Sequence, residues 1–235
     1  IYIYIYIYIY IMKNTILIPY RNRPAQLTYF LNNSYPLLKK NLEELEILVI
    51  EQVEGKQFNR GKILNIGFNE SESDYYFTHD VDINPLEEII KTLYNKEVLC
   101  NDIMGIYTSP WTLGGIIKFR SSTYENINGF PNNFWGWGSE DKDLQNRAEF
   151  KSINVVKNIL NMGPEKDQYF KIFDTYVRDK SNLKIHHKFV YDLWKNTSIE
   201  DKKKYIENNG LSTLNYKIIK EEILMDNVKK ITVDI

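Results

Sequence analysis

The segment His79-Asp80-Val81-Asp82 carries two carboxylates two positions apart. In an extended chain such residues point to one side. Asp80 and Asp82 then repel each other unless a cation lies between them. Hard oxygen donors suit Mg²⁺ or Mn²⁺, ions that commonly bridge to phosphates. A solvated loop would account equally well for the same pair. Ile18-Pro19-Tyr20-Arg21-Asn22-Arg23 offers two guanidinium groups, Arg21 and Arg23, able to pair with phosphate oxygens; ordinary surface arginines are the plainer reading.

A third segment, Gly129 to Asp143, interleaves Trp135 and Trp137 with Gly136 and Gly138 before Ser139-Glu140-Asp141. Glycine permits unusual backbone angles, so this is a hinge, and a tryptophan within it is a platform able to stack on a ligand. Ser139 is a natural helix N-cap, and Glu140 and Asp141 then fall in the first turn, where carboxylates are favoured. That electrostatic role and a general-base role are both open to these acids. His186-His187 forms a fourth candidate. Imidazole ligates Mn²⁺ and other transition metals. Read as a strand, the two rings point to opposite faces, so one of them ligates; a polar surface pair is the alternative. His79 reads as a structural neighbour of the acidic pair.

These groups need elements to hold them. Thr15 to Tyr20 is a short apolar run, consistent with a buried strand, and Ile47 to Ile50 and Tyr75 to Phe77 are two more. Ala25 to Lys40 reads as a helix broken near Pro36, Gly61 to Asn69 has mixed helical spacing, and a helix is expected from Pro85 through Tyr94. Strand–helix alternation predicts an α/β fold with a mostly parallel sheet. Ligands bind such sheets outside the carboxyl ends of the strands. Arg21, Arg23, Asp80 and Asp82 all follow strand ends and are therefore expected in one crevice.

The chain has 235 residues, with Lys+Arg 30 against Asp+Glu 31. The balance argues against bulk-charge binding of nucleic acid. An apolar fraction of 43% supports a real core. Cys100 is the single cysteine, which excludes an internal disulfide and any multi-cysteine metal site. Residues 1–11 alternate Ile and Tyr. A translated AT repeat, with Met12 as the true start, explains the tract; a strand is the alternative. It is too short for a membrane-spanning helix and lacks the features of a signal peptide. The expectation is a soluble, cytoplasmic chain with a low-complexity tract at 1–11 and one domain over 12–235.

Taken together and in order, Ile-Pro-Tyr-Arg-Asn-Arg, Phe58-Asn59-Arg60-Gly61-Lys62-Ile63-Leu64-Asn65, His79-Asp80-Val81-Asp82, Gly129-Phe130-Pro131-Asn132-Asn133-Phe134-Trp135-Gly136-Trp137-Gly138 with Glu140-Asp141, and Ile231-Thr232-Val233-Asp234-Ile235 resemble the β-1,4-galactosyltransferase family. The likeness runs from about Ile16 to Ile235. It implies a GT-A fold with a Rossmann-like mixed sheet flanked by helices, a manganese ion, and a UDP-galactose or related UDP-sugar donor whose sugar passes to a carbohydrate acceptor with inversion. Roles follow by position. Arg21, Arg23, Phe58 and Arg60 resemble the uridine and diphosphate contacts, and Asp80 and Val81 lie in the donor-contacting segment. Asp82 resembles the metal-binding aspartate, completed by His186 or His187. Trp137 resembles the tryptophan that closes over the donor, Asp141 the catalytic base, and Glu140, with Gly115, the acceptor side.

The chain also departs from that pattern. Lys142 stands where the animal enzymes have an aspartate that helps hold the acceptor, which puts the usual N-acetylglucosamine acceptor in doubt. Thr112 falls where they have a tyrosine before paired glycines, here Gly114-Gly115. A smaller side chain there makes room for an N-acetyl group, so UDP-GalNAc is a second donor candidate. The absence of disulfides and of an anchor fits a microbial or viral enzyme. The rival readings are a relative using another UDP-sugar and a non-catalytic nucleotide-sugar or glycan-binding protein. The Gly-Trp-Gly-x-Glu-Asp signature also occurs in retaining polypeptide GalNAc-transferases, so the other motifs carry the expectation of inversion.

Overall fold

The computed structural model describes residues 12–157, 168–173 and 177–235; the Ile-Tyr tract expected at 1–11 lies outside them. The chain opens with β1 (Asn14–Tyr20), whose residues are all buried. Next come α1 (Pro24–Tyr29), α2 (Tyr35–Asn41), β2 (Leu45–Gln52), α3 (Arg60–Asn69), β3 (Tyr75–His79), β4 (Ile83–Pro85) and α4 (Glu87–Ile89). The remainder is β5 (Asp102–Tyr107), β6 (Ile116–Arg120), α5 (Ser121–Asn126), α6 (Glu140–Phe150), β7 (Asn154–Lys157), β8 (Phe170–Ile172), α7 (Leu183–Asn196), α8 (Ile199–Glu207), β9 (Lys217–Met225) and β10 (Val228–Asp234).

Eight strands form one sheet in the order β7-β5-β6-β3-β1-β2-β10-β9. The centre, β3-β1-β2-β10, is parallel, whereas β6 runs against both β3 and β5, and β9 against β10. The sheet is therefore mixed, with a parallel nucleus. The parallel strands are continuous apolar runs because helices cover both faces. One face packs Ile16, Ile18, Phe30, Leu38, Val49 and Phe77, the other Leu17, Leu48, Ile63, Ile66, Ile117 and Leu144. At the edge, β9 carries Lys217, Lys220, Glu221 and Glu222, charges that discourage pairing with another chain.

The helix expected to break near Pro36 stays helical. Pro36 sits in the first turn of α2, where a missing N–H costs little, and a five-residue π-helical stretch, Phe30–Ser34, joins α1 to α2. Pro85 ends β4 instead of opening a helix, and helical structure begins at Glu87.

Candidate active site

Arg21 and Arg23 follow β1, and Asp80 follows β3, so the parallel pairing of β1 with β3 brings them to one edge. Asp80 sits in a tight turn in which the Ile83 N–H donates to the Asp80 carbonyl at 3.1 Å. Arg60 opens α3. That helix is capped by Asn59, whose side chain accepts from the Lys62 N–H at 2.9 Å, and it approaches the loop at 131 so closely that a Cβ on Gly61 would stand 2.7 Å from the Pro131 carbonyl oxygen. Arg60 is thereby fixed between two acids. Its Nη2 lies 2.8 Å from Asp80 Oδ1, and its Nη1 lies 3.9 Å from Glu140 Oε1. On the other side of the cleft, Arg23 Nη1 pairs with Asp82 Oδ2 at 3.2 Å, and the Arg21 guanidinium lies 5.1 Å over the Phe58 ring.

The tryptophan–glycine loop is held by backbone bonds. Gly136 N–H donates to the Phe58 carbonyl at 2.8 Å, and Trp137 N–H to the Asp179 carbonyl at 2.9 Å. Gly136 and Gly138 have φ of 87° and 108°, values that suit glycine. Ser139 also takes a left-handed φ, 79°, and the expected cap is not made: its hydroxyl forms no capping bond and is buried without a partner among the described residues. Strain of this kind is held only where the surroundings enforce it, and here it aims Glu140 and Asp141 from the first turn of α6. Buried Glu140 keeps one carboxylate oxygen without a hydrogen-bond partner among the described residues. Burial, reinforced by Asp141, pushes its pKa well above the ordinary carboxylate range, against the pull of Arg60.

Two cavities meet at Asp141. A cleft of about 510 Å³ is lined by Arg21, Arg23, Phe58, Arg60, Asp80 and Asp82. A larger one of about 1020 Å³ lies against α6 and α7. Ser109, Thr112, Trp137, Glu140 and Asp141 belong to both walls. Gly115 lines the smaller cleft, and the buried side chain of Val81 lines neither. The smaller cleft can seat a doubly charged phosphate chain on its arginines and an aromatic base near Phe58. The shared wall puts a carboxylate where something held in the larger cavity would meet it.

The histidines depart from the expectation. Both lie in helix α7, not on a strand, because His186, Val190 and Leu193 repeat at helical spacing and form its buried stripe. His186 is packed edge-on against Phe134 at 5.0 Å, its Nδ1 is 3.1 Å from the Gly138 carbonyl oxygen, and burial lowers its pKa. His187 is exposed and lines the larger cavity. Among the described residues no three His, Cys, Asp or Glu side chains converge as a metal cage. Of the residues expected to hold manganese, Asp82 is a hard oxygen donor on the arginine-lined cleft, already paired with Arg23, whereas His187 lies on the larger cavity.

Sequence reasoning missed Arg178 and Asp179, which line the smaller cleft, and Trp111, Tyr191 and Trp194, which line the larger. It also missed a buried network behind α6. Arg147 Nε donates to Asp143 Oδ2 at 2.8 Å and Trp194 Nε1 to Asp143 Oδ1 at 2.6 Å, with both members of the ion pair fully buried. The i, i+4 spacing of Asp143 and Arg147 was the available signal.

The cleft lies at the carboxyl ends of the parallel strands, the usual ligand position in such sheets. Residues 9–95 match the family model for the N-terminal region of glycosyl transferase group 7, and residues 98–173 match a second model of that group, described as the N-terminal domain of galactosyltransferase. The chain is 33% identical over 224 residues to human β-1,4-galactosyltransferase 4, covering 88% of this chain and 59% of that protein. It is 32% identical over 235 residues to bovine β-1,4-galactosyltransferase 1, covering 95% and 54%. The chain thus spans less than two thirds of the length of these curated relatives. The catalytic domain of Drosophila β-1,4-galactosyltransferase 7, solved with xylobiose, superposes with a TM-score of 0.73 at 24% identity, covering 95% of this chain and 94% of that one. A mutant of that enzyme has been solved with manganese, UDP-Gal and xylobiose. The chain belongs to glycosyltransferase group 7, the family of the β-1,4-galactosyltransferases, and its fold is GT-A. No helix among the described residues is long and apolar enough to cross a membrane.

Proposed function

We propose that the protein transfers galactose, or N-acetylgalactosamine, from a UDP-sugar to a hydroxyl of a glycan with inversion at the anomeric carbon. The observation that carries this reading is the position of Asp141 on the wall common to both cavities. The smaller cleft is the donor site: Arg21 and Arg23 meet the diphosphate and Phe58 lies beside the base. Arg60, fixed by Asp80 and Glu140, supplies a further positive charge, and Trp137 covers the sugar. The larger cavity is the acceptor site.

Asp141 takes the proton of the acceptor hydroxyl as its oxygen bonds to the anomeric carbon from the face opposite UDP. The bond from that carbon to the diphosphate oxygen breaks, and UDP leaves with the electron pair. The arginines are in place before reaction, so the developing negative charge meets fixed dipoles and charges. Glu140, through its unpartnered oxygen, accepts a hydrogen bond from a sugar hydroxyl. Asp82 would hold a divalent ion such as the manganese in the complex of the Drosophila relative, which would supply further neutralisation of the diphosphate.

Thr112 lies on the shared wall, with its hydroxyl 2.9 Å from that of Ser109. Its small size favours a donor site that admits an N-acetyl group. A screen of UDP-sugars with Mn²⁺, following UDP release with and without carbohydrate acceptors, tests the proposal. Acceptor-dependent release supports it, and binding without turnover of any UDP-sugar contradicts it.

A further inference from the structure

Three of the four tryptophans of the chain, Trp111, Trp137 and Trp194, line the larger cavity. Trp111 is 76% exposed and Tyr191, on the same cavity, 62%; exposed apolar rings gathered on one surface mark an interaction site. Trp194 is fixed by its bond to Asp143, two positions from Asp141. Flat rings fixed along a groove are stacking platforms for the apolar faces of sugar rings. A cavity of about 1020 Å³ is too large for one monosaccharide and continues outward from the base along α6 and α7 to α8.

The same walls carry Lys142, Lys180, Lys195 and Lys202. None of the four is in an ion pair among the described residues, whereas Lys40, Lys188 and Lys230 all are. Lys180 instead lies 5.2 Å over the Trp137 ring. The opposing charges are Glu140 and Asp141 at the inner end, which the reaction uses, and Glu149, which accepts from Gln145. The groove therefore presents stacking surfaces beside four lysines, against three acids on the same walls.

We infer that the acceptor is an extended anionic glycan, lying over Trp111, Tyr191 and Trp194 with its acidic groups on Lys142, Lys195 and Lys202. This deepens the transferase reading and rests on it for the role of the bound sugar. Sulfate, phosphate and uronate carboxylate share the required chemistry: a negative charge on a pyranose ring. Exposed lysines of this kind act through screened charge, so recognition weakens as salt rises.

The test is calorimetric binding to the full chain with UDP present, alongside transfer assays. The probes are chitotriose, its 6-O-sulfated and 6-phosphorylated forms, and a hyaluronan tetrasaccharide. The expected result is binding of at least one charged probe about tenfold or more tighter than chitotriose at low salt. That advantage shrinks in high salt and in the Lys195→Gln/Lys202→Gln double variant; the tightest charged probe identifies the acidic group. Equal binding of neutral and charged probes, or an advantage that survives both changes, overturns the inference. Transfer to chitotriose with no charge preference refutes the inference and leaves the transferase reading standing. A charge preference without transfer from any UDP-sugar does the reverse.

Discussion

The carboxylate of Asp141 lies so close to Gly114 that a Cβ on residue 114 would stand 2.6 Å from Asp141 Oδ2. The Lys142 N–H donates to the other oxygen, Oδ1, at 2.8 Å, so the proposed base is set by its own helix and by the bare backbone opposite. Gly114→Ala should displace the carboxylate without disturbing the core. The expected effect is a fall in kcat of about 10²-fold, the usual size for a reacting group misplaced by an ångström. Steady-state kinetics alongside a thermal melt check this; unchanged kcat would show that Asp141 does not act from its observed position.

Removing one member of the ion pair behind α6 should cost far more stability than a surface change. Asp143→Asn leaves Arg147 charged in a fully buried site and weakens the Trp194 bond. A loss of about 3–5 kcal/mol is expected. The double variant Asp143→Leu/Arg147→Met, which removes both charges, should recover much of it. Urea unfolding measures both, and a double variant less stable than Asp143→Asn would contradict the assignment.

The proposed donor pocket should respond to bulk at residue 112. Thr112→Tyr fills the wall shared by the two cavities and should lower kcat/KM for UDP-GalNAc relative to UDP-Gal by roughly 10–200-fold, the range a shape change in a pocket supplies. Parallel kinetics with the two donors decide it. A ratio that does not move places Thr112 away from the N-acetyl group.

Glu140 makes stability depend on pH in a definite direction. Its folded-state pKa is raised, first by burial and then by Asp141. Between the ordinary carboxylate range and the raised value, the folded chain therefore holds more protons than the unfolded one, and stability falls as pH rises. Glu140→Gln removes this term. Its Tm should gain on the wild type between about pH 5 and about pH 8. A gap that narrows over that interval contradicts the shift.

The strands that build the arginine-lined cleft were legible because buried parallel strands are short apolar runs, as in Leu45–Gln52, and because Arg21 and Asp80 follow their ends. The pairing of Arg60 with Asp80 and Glu140 was not: it joins three elements far apart in the chain, and no local pattern encodes it. The helical stripe His186, Val190 and Leu193 was present to be read. A strand reading hid it, since two adjacent histidines look alike in either period. Trp111 and Tyr191 were silent for a different reason, as exposed aromatics gain meaning only from the cavity between them. Ser139 looked like a cap by type, but the left-handed backbone forced by the loop withdrew its hydroxyl.

The most direct test of the account follows the anomeric centre by NMR, using UDP-α-galactose labelled with ¹³C at C1, Mn²⁺ and a carbohydrate acceptor, for wild type and Asp141→Asn. The account predicts a β-linked product from the wild type and a rate about 10²–10⁴-fold lower for the variant, with UDP affinity retained. An α-linked product, or an Asp141→Asn variant that turns over normally, would contradict it.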